Sequence, residues 1–158
     1  MIRHSAGFTM LELVAVILVV SILAAVALPN LRGGDQNDIV FRDQVVSALR
    51  YAQKTAVSHR RQVCVAFTAT TVTLTIETVS NGGCNANLPL PGGQANSVAS
   101  REPSTVQFNP APPNGAFTAE GWWNDGCANY GCSTTLTIQG FGGATIPITV
   151  EGTTGYVN

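Results

Sequence analysis

Hydrophobic positions along this chain follow three regimes. From residue 8 to residue 28 they are continuous: FTMLELVAVILVVSILAAVAL holds one charge, Glu12, in 21 residues. In a helix of that length Leu, Val and Ile cover every side, so no polar face is left for water. At 1.5 Å rise per residue such a helix extends roughly 30 Å, the hydrocarbon thickness of a bilayer. From Ile39 to about Ser58 the apolar positions recur at helical spacing. Phe41, Val45, Ala48, Leu49, Ala52 and Ala56 form one stripe, suited to packing on a sheet. Asp35 suits the N-cap of this helix, and Asp38 and Arg42, four apart, are expected to pair on its exposed side. After Arg61 the period drops to two. Residues 62–67, 72–79, 104–108, 134–139 and 145–150 read as strands, and Pro147 places the last at an edge or bulge. Residues 80–103 and 109–133 read as long loops.

Composition adds little chemistry. The formal net charge is −1 and only 11% of residues are charged, so the bulk of the chain is not that of a nucleic-acid-binding protein. No G-x-S-x-G, H-E-x-x-H or P-loop pattern occurs, and the acids beyond residue 61 are scattered. We therefore expect no catalytic residues, no cofactor, no metal and no small-molecule substrate: the chain does not read as an enzyme. His59-Arg60-Arg61 follows the second helix. Cations there complement the helix dipole, and a DNA or lipid phosphate contact is the alternative. The neighbours Trp122 and Trp123 lie in a loop, where both cannot easily be buried. One tucked in and one exposed is the plain expectation, and both are candidates for contact with another subunit, a surface or a carbohydrate.

The four cysteines, Cys64, Cys84, Cys127 and Cys132, all follow the first two helices. In an exported domain an even number points to two disulfides, and four cysteines allow three connectivities. Proximity along the chain favours Cys64–Cys84 and Cys127–Cys132. A four-thiolate metal site is the alternative, but the spacings lack the CxxC pairs of a zinc ribbon.

Three readings compete for the apolar segment. A cleavable secretory signal would have an apolar core of only about 7–15 residues before a small-x-small site, which Ala24-Ala25-Val26-Ala27 could mimic. A plain membrane anchor leaves Glu12 without explanation. An acid at mid-bilayer costs on the order of 2.5–3.5 kcal/mol, and near the membrane end it still needs a partner. The third reading takes in the residues just ahead of the segment. Ala6-Gly7-Phe8-Thr9-Met10-Leu11-Glu12 followed by the apolar run resembles the class III signal of type IV prepilins and type II secretion pseudopilins. Leu28-Pro29-Asn30-Leu31 resembles the helix-interrupting proline of the same proteins.

That resemblance implies a prepilin peptidase cutting between Gly7 and Phe8 on the cytoplasmic side, then N-methylation of Phe8. It divides the chain into a leader (1–7), a transmembrane and filament-core helix (8–30) and a pilin globular domain (31–158). Within that domain an amphipathic helix (35–60) precedes a β domain (62–158). Pro29, Gly33 and Gly34 are the expected helix break. Glu12 is the expected partner of the new Phe8 α-amine, a pairing that would set subunit register.

Further along, Leu49-Arg50-Tyr51-Ala52-Gln53-Lys54-Thr55-Ala56 leading into Ser58-His59-Arg60-Arg61-Gln62-Val63 is similar to the GspH/FimT group of minor pilins and pseudopilins. The fold this implies is α+β, with a long N-terminal hydrophobic helix packed on small antiparallel β-sheets and disulfide-bonded. The function it implies is a minor pilin of a type IV pilus. A GspH-type pseudopilin of a type II secretion system is the alternative, and an adhesive or DNA-binding filament subunit a further one. The implied partners are other pilin or pseudopilin subunits, the prepilin peptidase and the inner membrane. The subunit would be a single-pass inner-membrane protein with a periplasmic domain, later part of a surface pilus or periplasmic pseudopilus. Some members of the group bind DNA through basic residues near the C-terminus. Here Gly155 is followed by Tyr156 with no Arg or Lys nearby, so nucleic acid is not an expected partner.

Overall fold

A computed structural model of the chain describes residues 9–30, 34–79, 82–92, 95–101, 103–127 and 131–158, the side chains of 26–30, 34 and 35 excepted. The chain divides into two compact units, residues 1–33 and 34–158. The first holds α1 (Met10–Asn30). Among the described residues no helix is long and apolar enough to cross a membrane. The expected apolar run starts at Phe8, outside them.

The second unit opens with α2 (Gly34–His59), a 26-residue helix. Its six-residue apolar stripe, Phe41 to Ala56, is buried throughout, joined by Val46. Spacing of three and four residues keeps these side chains on one face, and burying each Leu, Val or Phe contributes about 1.5–3 kcal/mol. Asp35 lies within the first turn of α2 rather than capping it, since the helix already begins at Gly34.

Two antiparallel sheets receive this face. The larger contains β1 (Val63–Phe67), β2 (Thr71–Glu77), β3 (Cys84–Asn87), β4 (Ser97–Ala99), β6 (Gly115–Phe117) and β7 (Trp123–Asn124). Its order is β3-β2-β1-β6-β7, with β4 also pairing with β2. The smaller sheet is β5-β8-β9, from Gln107–Phe108, Thr134–Gln139 and Thr145–Val150. Pro147 sits in β9 opposite Thr137, on an edge strand where its missing N–H leaves no ladder bond unmade.

Residues 80–103 and 109–133 differ from the expectation of open loops, since they contain β3 and β4, and β6 and β7. These strands are two to four residues long, too short for a period of two to show. They form because the edges of β1 and β2 offer unpaired backbone groups: β6 pairs with β1, and β3 and β4 with β2.

An aromatic chain joins helix and sheets. Phe41 of α2 meets Phe108 of β5 at 5.5 Å, Phe108 meets Phe67 of β1 at 5.7 Å, and Trp123 meets Phe117 at 4.9 Å with the rings tilted by 58°. Leu49→Ala in this core should lower stability by about 2–5 kcal/mol. Glu120→Ala at an exposed site should stay within about 0.5 kcal/mol. Urea unfolding of the detergent-solubilised chain, followed by tryptophan fluorescence, checks both.

Candidate functional site

The surface that needs an external partner begins at the start of α1. Thr9 precedes the helix, and its hydroxyl accepts the Glu12 backbone N–H at 3.3 Å. Thr-x-x-Glu is the spacing of a capping box, and an acid in the first turn complements the positive end of the helix dipole. Glu12 is therefore at home in this turn as well as being the one charge of the apolar run. Beyond it every described side chain of α1, through Ala25, is exposed. Ser21 turns its hydroxyl back to the Ile17 carbonyl at 2.6 Å, so it presents no unmet donor on an otherwise apolar surface.

Gly7 and Phe8, the expected cleavage and methylation positions, lie outside the described residues, as does Gly33. α1 runs through Pro29 to Asn30, so proline falls in its last turn rather than ending the helix ahead of itself. Gly34, expected in the break, is the first residue of α2.

Two disulfides pin the second unit. Cys64 of β1 is bonded to Cys84, the first residue of β3, with a Cα–Cα distance of 5.9 Å. β2 pairs with both strands, so the bond fastens β3 across it. Cys127 is bonded to Cys132 between β7 and β8, with a Cα–Cα distance of 6.5 Å. Among the described residues no group of three His, Cys, Asp or Glu side chains could hold a metal ion.

Trp122 and Trp123 separate. Trp122 is 47% exposed and available for contact. Trp123 is 1% exposed, which corrects its reading as a surface contact. The reason is β7: Trp123 pairs with Phe117, and a strand sends neighbouring side chains to opposite faces. Its indole N–H donates to the Thr134 hydroxyl at 2.9 Å, and that hydroxyl donates to Asp125 at 2.6 Å. The same carboxylate accepts the Cys127 N–H at 3.1 Å, tying the disulfide loop to the core.

Three further residues hold the unit together. Asp38 does not pair with Arg42, which binds Asp43 at 3.0 Å instead. Asp38 is buried and accepts the Phe141 N–H at 3.2 Å, anchoring the 3-10 turn between β8 and β9. Gly140 makes room for it, because a β-carbon there would collide with the carboxylate. Arg50 donates twice to the Val157 carbonyl, at 3.1 and 2.9 Å. Gln53, one helical turn on, donates to Thr154 O at 2.7 Å and Gly121 O at 3.4 Å. Arg50 and Gln53 stand in the Leu49–Ala56 pattern, which alternates core positions with these clasps. The sequence signal was the pattern itself, while the partners, 107 and 101 residues away, carry no signal of their own.

An apolar, capped N-terminal helix and a disulfide-pinned helix-on-sheets unit make this an α+β chain. Residues 2–28 match the prokaryotic N-terminal methylation motif. The chain is 27% identical over 120 residues to the type IV wide pilus major component PilA4 of Thermus thermophilus, across 73% of this chain and 88% of that one. Among solved structures it superposes on the type IV minor pilin FimU of Pseudomonas aeruginosa with a TM-score of 0.56. That likeness is one of fold, at 17% identity over 80% of this chain and 90% of FimU. By its N-terminal motif, by sequence and by fold the chain is similar to type IV pilins.

Arg50→Ala should free the C-terminal segment. Hydrogen bonds to a charged donor are worth about 1.5–3 kcal/mol, so exchange of the Asn158 and Glu151 amides should speed by at least about tenfold. Amides of β1 and β2 should keep their rates, a comparison that hydrogen-exchange mass spectrometry reads directly.

Proposed function

We propose that this chain is a structural subunit of a type IV pilus, without catalytic activity. The observation that carries the proposal is α1: a capped helix whose described side chains are all exposed and, after Glu12, uncharged, under the N-terminal methylation motif. Water is a poor environment for such a surface. Lipid covers it before assembly, and the α1 helices of neighbouring pilin subunits cover it afterwards. Prepilin peptidase on the cytoplasmic side removes residues 1–7 and methylates Phe8. The subunit waits in the inner membrane with its globular unit in the periplasm and then joins the pilus at the cell surface.

Glu12 supplies the register. The amine of processed Phe8 is a cation in an apolar setting, four residues from the carboxylate. In the filament the carboxylate meets that amine in its own chain or the neighbouring one. Only one stacking offset brings the two charges together, and any other leaves both unpaired.

Within the pilus, the minor-pilin role rests on the FimU fold and the Leu49–Ala56 pattern. The relationship to PilA4, named a major component, favours a second reading in which the subunit repeats along the filament. Abundance separates them: traces in sheared filaments mark a minor subunit, a dominant band a major one.

Glu12→Ala should reduce recovery of the chain in sheared filaments at least about tenfold at unchanged membrane level, since an unmatched buried charge costs about 3–5 kcal/mol. Quantitative immunoblotting of the two fractions measures it. Equal recovery of the two proteins would remove Glu12 from the assembly mechanism.

A further inference from the structure

A sheet that does not close has edges, and this chain occupies or breaks most of its own. In β7 the Trp123 N–H points away from β6 and donates to the Gly152 carbonyl at 2.9 Å. In β5 the Phe108 N–H points away from β8 and donates to the Ala69 carbonyl at 2.7 Å. In β9 Thr149 exchanges two bonds with Asn158, at 3.2 and 3.1 Å, and Pro147 stands two residues away. The pairing of β3 is broken by a register shift at Ile76 and Glu77 of β2.

Among the described residues β4 has none of these devices. Its Ser97, Val98 and Ala99 include no proline, no charge and no bulge. The register fixes which of its backbone groups are free. The Leu74 N–H donates to the Asn96 carbonyl at 2.8 Å and the Ser100 N–H to the Thr70 carbonyl at 2.9 Å. Val98, opposite Val72 and midway between these bonds, faces β2 in the same way. In an antiparallel ladder the residues in between turn their N–H and C=O to the other side. Ser97 and Ala99 therefore aim theirs out of the sheet, and among the described residues no hydrogen bond takes them up. The strand is held in place from behind. Asn96 Nδ2 donates to the Leu74 carbonyl at 3.0 Å and to Asn87 Oδ1 at 3.2 Å.

This open edge borders a groove of about 730 Å³ between β4 and α2. Val40 and Ala48 of α2, with Leu90 and Pro91 ahead of β4, give it apolar walls. Two charged residues line it, Asp43 and Arg101. Asp43 is paired with Arg42 at 3.0 Å, whereas Arg101 is exposed and has no ion pair among the described residues. The groove thus offers main-chain groups at strand spacing, apolar walls and one uncommitted cation, with no uncommitted acid. An extended peptide satisfies the main-chain groups and the walls, and a carboxylate on that peptide satisfies the cation.

We propose that β4 is a docking edge for an extended, acidic segment of another protein. The segment adds a strand against Ser97 and Ala99 and sets a carboxylate against Arg101. The site lies wholly within the second unit and does not rest on the filament reading.

A fluorescently labelled peptide, Thr-Val-Glu-Val-Thr with both ends capped, tests it when titrated into the detergent-solubilised full chain. Its anisotropy should saturate below about 1 mM peptide. With peptide bound, hydrogen exchange at single-residue resolution should show the Ser97 and Ala99 amides slowed at least about tenfold, while Val98, already bonded to β2, keeps its rate. Arg101→Glu should weaken binding at least about tenfold and transfer the preference to the same peptide with lysine in place of glutamate. Ala99→Pro removes one outward N–H without touching the β2 ladder, and should weaken binding by a similar factor. If that variant fails to accumulate, Ser97→Pro replaces it with the same expectation. No binding of the glutamate peptide up to about 1 mM overturns the proposal. Undiminished binding by the proline variant, or of a peptide N-methylated at every residue, overturns it as well, since the ligand is then held by side chains alone. Protection of Ser97 and Ala99 that rises with protein concentration in the absence of peptide also overturns it, because the edge then belongs to a second copy of this chain.

Discussion

Everything in this chain depends on a helix that cannot be left in water. The described part of α1 exposes Leu, Val and Ile on all sides. At about 25 cal/mol for each Å² of apolar surface, leaving such a helix hydrated is strongly unfavourable. Its only charge sits in the first turn, where the helix dipole and the Thr9 cap already favour it. A surface of this kind needs a cover that is equally apolar, and lipid and a bundle of like helices both qualify. Under the proposed function, that equivalence lets one segment serve as anchor first and as filament core later. Transfer from one to the other exchanges apolar surroundings for apolar surroundings.

The second unit, residues 34–158, has a core of its own. It is organised by α2, whose one stripe closes over both sheets and whose flank holds distant backbone in place. Arg50 and Gln53 clasp the last turn of the chain, and Asp38 clasps the turn between β8 and β9. Three polar residues on one helix thus fix segments about a hundred residues downstream. The two disulfides do similar work on the β3 edge and the β7–β8 connection, restricting the unfolded chain as well as the folded one.

Periodicity made the framework legible. The stripe from Phe41 to Ala56 is the buried face of α2, and the strict alternation in residues 134–139 and 145–150 is that of β8 and β9. What stayed hidden was short or long-range. β3, β4, β6 and β7 are too brief to show a period and exist because neighbouring strands offer edges. Asp38 looked like the surface partner of Arg42, because a spacing of four says nothing about a turn 103 residues away that takes the carboxylate instead. Of the adjacent tryptophans, the sequence suggested that one is buried but not which. Pairing of Trp123 with Phe117 decides it. Of the candidate site, Gly7 and Phe8 lie outside the described residues and rest on the sequence motif, while Glu12 stands in the capped first turn of α1.

The claim at the centre is that the greasy N-terminal helix is kept and exposed at its very first residue, not trimmed away. Intact-mass and N-terminal peptide spectrometry of the protein recovered from its native cells tests this most directly. The account predicts a mature chain beginning with N-methylated Phe8 and retaining the whole apolar run. A mature chain beginning just after Ala27, free of α1, would contradict it.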